Sequence, residues 1–248
     1  MITSIAWLEL KRLFLSPLAW AILAVVQVIL GFMFLANLNY YFLMQSRMMA
    51  AGEAPGITEI IVAPLLANSA IVLLLATPLI SMRLIAEERR NRTLPLLLSA
   101  PATMTQIVLG KYFGLLGFLW LIVAASTLMP LSLLAGGTLD FGMFAAGLLG
   151  LLLLLAGFAA VGLFMSTLTQ HQLIAAMATF GALLLFWILD WAGSGEGTGT
   201  LGYLSLLNHY EPLLRGVFDT SDIVYLLLFV VTFLVLSVRR LDMDRLGG

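Results

Sequence analysis

The residues best suited to chemistry lie at the start of the stretch AEERRNRTLPLLLSAPATMTQIVLGKYFG, residues 86–114. Five charges fall between Glu87 and Arg92, although only 10% of the chain is charged. Neither histidine nor cysteine accompanies them, so the pattern does not indicate a catalytic centre. Acids and bases at this density are suited to pairing with a second charged surface. A solvated anchor without a partner explains the same charges equally well.

The two histidines are weaker candidates. His171 and His209 lie in separate polar segments, and one histidine in each segment does not make a zinc site. Each pattern is more typical of an ordinary polar loop residue. The chain has no cysteine, which excludes disulfides, thiol catalysis and Cys-based metal sites.

The Gly110-Lys111 pair does not belong to a nucleotide-binding loop. That motif requires glycine five residues before the pair and serine or threonine directly after it. Thr105 and Tyr112 occupy those two positions here. Gly110 and Gly114 instead form a small-xxx-small pair, which can allow two helices to approach closely.

The composition indicates an integral membrane protein. Hydrophobic residues make up 62% of the 248 residues, and the mean hydropathy is +1.08. A soluble domain of this size cannot bury that much apolar surface. A net charge of −1 gives no indication of a nucleic-acid partner. Six apolar segments predict transmembrane helices: Pro17–Leu38, Ile60–Met82, Tyr112–Leu134, Phe141–Leu168, Leu173–Trp191 and Ile223–Val238.

The distribution of positive charge predicts the orientation. With six spans, both termini lie on one side of the membrane, and ten of the twelve Lys and Arg residues lie there as well. Only Arg47 and Arg215 lie on the other side. By the positive-inside rule, both termini are cytoplasmic.

Three segments outside the spans have predicted roles. Residues 1–16 predict a helix lying in the cytoplasmic interface, with Ile2, Ala6, Leu10 and Leu13 on one face, although Glu9 falls near that apolar side. Outer loops are predicted at Asn39–Glu59 and at residues 192–222. The second loop begins with a flexible glycine-rich piece and then turns apolar, so we expect it to fold back against the outer membrane surface.

Residues 83–111 predict a cytoplasmic elbow between the second and third spans. Thr93 can cap a short helix that Pro101 ends, and Thr103 or Thr105 can begin the next helix. The apolar face of the short helix would comprise Leu94, Leu96, Leu97 and Leu98. The result is a helix–turn–helix handle at the inner surface.

Ionisable residues are absent from the interiors of the six predicted spans. Proton and ion pathways normally need such residues at membrane depth. The sequence therefore offers no internal energy source. If the chain moves something, the work must come from outside it, most simply from a cytoplasmic motor that acts on the elbow.

The sequence resembles the permease subunits of type-2 ABC exporters, in particular the branch associated with gliding motility and with maturation of multicopper enzymes. The resemblance rests on RLIAEE at Arg83–Glu88, TLPLLLSAP at Thr93–Pro101 and QIVLGKY at Gln106–Tyr112. The segment NHYEPLLRGVFD at Asn208–Asp219 also fits. Two residues depart from the pattern. Arg92 replaces the usual glycine, and Pro95 replaces an acid, which puts one polar contact with the ATPase in doubt.

The resemblance implies an all-α integral membrane protein with six transmembrane helices, an N-terminal interfacial helix and a cytoplasmic coupling elbow, forming one domain over residues 1–248. It implies a bacterial inner-membrane permease, itself not an enzyme, that dimerises and carries two cytoplasmic ATPase subunits. ATP and magnesium would bind those subunits, so no cofactor is expected here. Membrane lipid and an outer-side accessory protein are further candidate partners. The residues expected to dock the ATPase are Glu87, Glu88, Arg89, Arg90, Thr93, Leu97, Ser99, Pro101 and His171.

Two alternatives for the function stay open. The complex could transmit force to an outer-side partner through residues 192–222 without moving cargo. The chain could also act alone as a carrier or channel. An intramembrane enzyme would need paired His, Asp or Glu residues at membrane depth, and the sequence offers no such pair.

Overall fold

All of the secondary structure in the described part of the chain is helical. A computed structural model describes the backbone at residues 1–51, 56–93, 102–135, 138–193 and 203–246. Side chains are described throughout those ranges except at 45–51, 190–193 and 246. The prediction of an all-helical fold is confirmed.

Six helices are long and apolar enough to cross a membrane, as the sequence predicted. They are α2 (Pro17–Ala51), α3 (Ala63–Ser81), α5 (Met104–Ser132), α6 (Phe141–Leu168), α7 (Gln172–Gly193) and α9 (Thr220–Leu246). Three shorter helices lie between or before them: α1 (Ile2–Leu15), α4 (Ala86–Arg90) and α8 (Leu206–Leu214). A π-helical turn at Thr58–Val62 leads into α3, and a 3₁₀ turn at Leu133–Ala135 follows α5.

Three of the long helices extend further than hydropathy predicted. Helix α2 continues to Ala51, so the outer loop predicted at Asn39–Glu59 is wrong over most of its length. Helix α9 extends beyond the predicted Ile223–Val238 at both ends, and α5 begins before Tyr112. Hydropathy marks only the apolar part of a helix, whereas residues such as Leu, Met, Arg and Gln continue it into polar surroundings.

Helix α6 is the centre of the bundle and contacts α3, α5, α7, α8 and α9. Every residue from Leu154 to Leu163 is buried. A helix that is apolar on all sides belongs in such a position, because it has no face suited to water. Its start is fixed by Asp140, whose carboxylate accepts hydrogen bonds from the N–H groups of Gly142 and Met143.

Helix α6 also fixes the break between α3 and α4. The Ser166 hydroxyl accepts hydrogen bonds from the N–H groups of Ile85 and Ala86, each at 3.1 Å, and so satisfies donors at the start of α4. One turn earlier, Gly162 leaves room for Ser81 at the end of α3. A Cβ at residue 162 would lie 2.4 Å from the Ser81 hydroxyl oxygen. The position of α4 therefore depends on α6.

Helix α4 ends in a Schellman motif with an arginine at its left-handed position. The N–H of Thr93 donates to the Glu88 carbonyl at 3.0 Å, and that of Arg92 donates to the Arg89 carbonyl at 3.2 Å. Arg92 has φ +57°, a region that glycine adopts without strain. This geometry explains why glycine is usual there in the family that the sequence resembles. Thr93 thus closes α4, and the helix it was predicted to begin lies outside the described residues.

Helix α1 lies along the first half of α5, and this is the most extensive contact between two helices in the described chain. The contact is formed at the small-xxx-small pair. A Cβ on Gly110 would lie 2.6 Å from the Cβ of Ile5. A Cβ on Gly114 would lie 2.6 Å from the Cβ of Glu9 and 2.9 Å from the carbonyl oxygen of Ala6. The two glycines therefore let the backbones of α1 and α5 approach each other.

The described part of the segment predicted to be the second outer loop packs on the helices. Helix α8 contacts α3, α6, α7 and α9. The Tyr210 hydroxyl donates to the Leu66 carbonyl on α3 at 3.1 Å, and burial raises the pKa of this phenol. The phenol therefore stays protonated as a donor. We predicted a fold-back against the membrane surface, whereas the described part of this segment packs on the bundle itself.

We expect Gly114→Ala to weaken the docking of α1. The added methyl group meets the Ala6 backbone, which cannot move aside as a flexible side chain can, and overpacking of this kind costs about 1–3 kcal/mol. Gly181→Ala is the matched control, since no atom lies within 4 Å of a Cβ there. Thermal unfolding in detergent and proteolysis of the N-terminus should distinguish the variants. Equal stability of both variants would contradict the close approach.

We expect Arg92→Gly to stabilise the end of α4. A non-glycine residue in the left-handed region costs roughly 1–2 kcal/mol, of which glycine's greater freedom in the unfolded chain cancels a part. The net gain should be about 1 kcal/mol, read as slower cleavage near residue 92 and a higher melting temperature. Asn91→Gly is the control, because Asn91 has a helical φ of −80° and gains nothing from glycine.

Candidate functional site at the charged elbow

A buried cluster of charges joins three helices beside the elbow. The Lys111 ammonium on α5 lies 2.8 Å from Glu88 Oε1 on α4 and 3.1 Å from Glu9 Oε2 on α1. Only 2% of the Lys111 side chain is exposed. We call Glu9, Glu88 and Lys111 the lysine cluster. One ammonium held by two carboxylates from different helices fixes the relative positions of α1, α4 and α5.

Local sequence explains how each member reaches this point. Glu9 lies on the face of α1 that packs on α5, next to Gly114. Lys111 lies two turns into α5, a helix that begins at a capping box between Thr103 and Gln106. Glu88 lies in the first turn of α4. Helix α6 positions this turn through the hydrogen bonds that the Ser166 hydroxyl accepts.

The buried Lys111 ammonium requires both carboxylates of the lysine cluster. A buried ammonium without partners loses its hydration and destabilises the fold, so it must be paired and hydrogen-bonded. Arg12 lies at the edge of the cluster, 3.5 Å from Glu88 Oε1 and 3.8 Å from Glu9 Oε2. Its side chain is largely exposed, so this second cation contributes less than Lys111 does.

A second ionic contact connects α4 to the end of the chain. Arg89 pairs with Asp244 on α9, and Arg240 lies 3.7 Å from the other oxygen of the same carboxylate. Both oxygens of Asp244 are thus used by arginines. Through Glu88 and Arg89, the five-residue helix α4 is tied to α1, α5 and α9. We call this arrangement the α4 hub.

The described docking candidates divide into two groups. Glu88 and Arg89 are engaged within the chain, as described above. Arg90 is exposed, and Glu87 is half-buried with no ion-pair partner among the described residues. Thr93 is exposed and bonds back to α4. Leu97, Ser99 and Pro101 lie outside the described residues, so their docking role stays a prediction.

His171 lies at the same end of the bundle as the α4 hub. It occupies the turn between α6 and α7, and α4 contacts both of these helices. The His171 side chain is exposed, and the backbone N–H of His171 donates to the Thr169 hydroxyl at 3.1 Å. The structure therefore places this turn and α4 on one face, as the docking hypothesis requires.

Sequence reasoning missed Glu9, Lys111, Asp244 and Arg240 as members of this site. One signal was present, because Glu9 interrupts the apolar side of an otherwise amphipathic helix. A carboxylate on a buried face implies a buried cation, and Lys111 is the lysine nearest to the start of the third span. Asp244 and Arg240 lie beyond the predicted end of the last span, where hydropathy gave no reason to expect a packed helix.

A buried histidine–aspartate pair also lies at the opposite end of the bundle. His209 is only 2% exposed, so the interpretation as an ordinary loop residue is wrong. Its Nδ1 lies 2.6 Å from Asp222 Oδ1, and its Nε2 lies 2.9 Å from the Tyr203 carbonyl. Both partners accept hydrogen bonds, which suits an imidazolium that donates from both nitrogens. Tyr225 stacks on the ring at a centroid distance of 3.9 Å, a position favourable for a cation.

These arrangements are suited to holding helices together. In the lysine cluster, each charge is paired with an opposite charge. No side chain that could act as a nucleophile is paired with these charges. The His209–Asp222 pair ties α8 to α9 and is covered by two aromatic rings. Each site therefore provides a fixed mechanical link between helices.

Comparison with known proteins is consistent with this architecture. A family model described as ABC-2 family transporter protein matches residues 3–245. A search of curated proteins found no match. The matched region includes all six long helices, the elbow and the lysine cluster, and the chain therefore belongs to the ABC-2 transporter family as a multi-pass membrane permease subunit.

Proposed function

We propose that this chain couples ATP hydrolysis on a separate cytoplasmic ATPase to a rearrangement of its helices that exports a cargo. In this proposal two copies of the chain and two ATPases form the working unit in a bacterial inner membrane. Both termini face the cytoplasm, and ATP and magnesium bind only the ATPase. The resemblance to type-2 ABC exporters, in particular to the branch associated with gliding motility and multicopper-enzyme maturation, supports the proposed direction of transport.

The α4 hub is the observation that carries the proposal. A motor needs a small rigid element that it can grip and that is connected to the spans. Arg90 at the end of α4, with Asn91 and Arg92 in the turn that follows it, is exposed, while Glu88 and Arg89 bind α5 and α9 on the buried side of the helix. A force applied to the exposed side therefore acts on two spans and on α1 together.

The exposed side of α4 is basic, which indicates an acidic receiving surface on the ATPase. The turn that carries His171 lies on the same face and gives a second point of contact. When ATP brings the two ATPases together, both contact points move as one body. The long helices then shift between two packed arrangements, which is a common form of conformational switching.

The position of ionisable residues supports an external energy source. The charges within the long helices lie near their ends, as Lys111 does in α5 and Asp222 in α9. A proton or ion pathway needs such groups at membrane depth. Coupling to a separate ATPase meets the energy requirement without them.

The decisive experiment is a gentle purification of this chain after co-expression with its neighbouring genes, followed by the mass of the complex and its ATPase rate. Two copies of each subunit would support the proposal, and a chain that never recovers an ATPase would favour the stand-alone carrier. Reconstitution of the complex in liposomes then separates export from force transmission. Hydrolysis without movement of any supplied cargo, together with binding of an outer-side protein, would favour the transmitter.

We expect the double variant Arg90→Glu/Arg92→Glu to weaken ATPase binding about tenfold, since two exposed contacts turn from attractive to repulsive. Lys11→Glu/Arg245→Glu is the matched control, because it makes the same change in net charge at exposed residues outside the elbow. Binding should be measured at low and at high salt. Salt should reduce the difference between the variants, since exposed charges are screened. Equal binding by both double variants would remove the docking surface from α4.

We expect single cysteines at Asn91 and Val217 to label from opposite sides of the membrane. Both residues are exposed, and the chain has no native cysteine, so each label reports one position. A membrane-impermeant maleimide applied to intact cells should modify Val217→Cys at once and Asn91→Cys only after lysis. Labelling of both before lysis would contradict the proposed orientation.

A further inference from the structure

A cavity of about 400 Å³ lies beside the lysine cluster, and the mechanism above assigns it no ligand. Its walls come from α1, the start of α2, the end of α3 and α4. The volume falls within the range of small-molecule pockets, roughly 300–1,000 Å³. The cavity lies between the long apolar helices α2 and α3 on one side and the short helices α1 and α4 on the other. It is therefore at the boundary between an apolar and a polar environment.

One side of the cavity is apolar. Leu18 and Ala19 of α2 face it together with Leu79 and Ile80 of α3. Leu79 is 45% exposed, so this side reaches the outer surface of the bundle. The neighbouring α1–α2 corner carries Trp20, whose indole N–H donates to the Phe14 carbonyl at 2.7 Å. Tryptophan at the end of a span is typical of the membrane–water interface.

The other side of the cavity carries charges that the described protein does not match. The Arg83 guanidinium makes one hydrogen bond, from Nη1 to the Ser16 hydroxyl at 3.4 Å, and its Nε is buried without a partner. Glu88 Oε2 is likewise buried without a partner, although Oε1 binds Lys111. The Glu87 carboxylate lines the same cavity and has no ion-pair partner among the described residues. One cation and the oxygens of two carboxylates are thus left for a ligand.

This combination specifies the chemistry of the ligand. Arginine is the side chain best suited to bind a phosphate oxygen. The unmatched carboxylate oxygens require a donor, and an ammonium group supplies one with the right charge. A ligand with a phosphate, an ammonium and an apolar tail satisfies every unmatched group and the apolar wall together.

We propose that this cavity binds the headgroup of a zwitterionic phospholipid of the phosphatidylethanolamine type. The phosphate accepts hydrogen bonds from Arg83, and the ammonium donates to Glu87 and Glu88. The start of the acyl chains lies against Leu18 and Leu79. The bound lipid would fill the space between α2, α3 and α4, and so would support the α4 hub from the membrane side.

The test measures which phospholipid the purified chain retains. The chain is delipidated in detergent and then offered dioleoylphosphatidylethanolamine or dioleoylphosphatidylglycerol, which has the same phosphate and tails without the ammonium. Lipid retained per chain is read by native mass spectrometry. Soluble glycerophosphoethanolamine is the competitor that separates a lipid site from a site for a free phosphate ester. None of these measurements needs the ATPase, so they stand apart from the proposed function.

We expect about one phosphatidylethanolamine per chain and about tenfold weaker retention after Arg83→Gln, which removes the charge–phosphate contact. Glu87→Gln should lower retention of phosphatidylethanolamine and leave that of phosphatidylglycerol unchanged. Lys11→Gln is the control, because Lys11 is exposed on α1 and does not line the cavity. It should behave as the native chain does.

Three results would overturn the proposal. The first is that Arg83→Gln leaves the retention of phosphatidylethanolamine unchanged. The second is that the chain retains both phospholipids equally. The third is that glycerophosphoethanolamine displaces the lipid when it is supplied at the same concentration as the lipid. If Arg83→Gln does not fold, Leu18→Trp gives the deciding result, since it fills the apolar side and leaves every charge in place. Unchanged retention in that variant would equally exclude the cavity.

Discussion

The buried ammonium of Lys111 constrains the whole face of the bundle that carries the two termini. It has almost no contact with solvent, so carboxylates must replace the water it loses. The two that do so come from elements far apart in the chain, Glu9 on α1 and Glu88 on α4. For both to reach one atom, α1 must lie along α5 and the chain must leave α3 through a sharp turn. The glycines on α5 and the Ser166 contact on α6 make these two approaches possible.

The middle of the bundle is held together differently from its ends. Between the lysine cluster and the His209–Asp222 pair, the helices meet mainly through apolar packing. One polar contact in this region joins α2 to α5. The Gln27 amide donates to the Ser126 hydroxyl and to the Ile122 carbonyl, both at 3.0 Å. Such a contact between spans contributes about 0.6 kcal/mol on average. The strong directional interactions are therefore concentrated at the two ends.

Sequence predicted the features that depend on local composition. The six long helices follow from apolar runs, the start of α5 from the capping pattern at Thr103, and the close helix approach from the Gly110/Gly114 pair. It did not predict which helix uses those glycines, since the glycine contacts join residues far apart in the chain, such as Gly114 and Glu9. The burial of His209 was missed for the same reason, because its partner Asp222 lies on a different helix. Helix ends were misplaced where helix-forming polar residues continue α2 and α9 past their apolar parts.

The arrangement of these links decides which helices can move together. Ionic contacts join α4 to α1, α5 and α9, and breaking the contact with α5 or with α9 would remove a partner from a largely buried charge. Helix α6 holds α4 through hydrogen bonds to the Ser166 hydroxyl, and it meets α5 mainly through apolar packing with one hydrogen bond from the Tyr112 hydroxyl to the Ala156 carbonyl. A displacement of α4 therefore meets less resistance at α6 than at its ionic partners. The helices tied by charge would move as a group relative to α6.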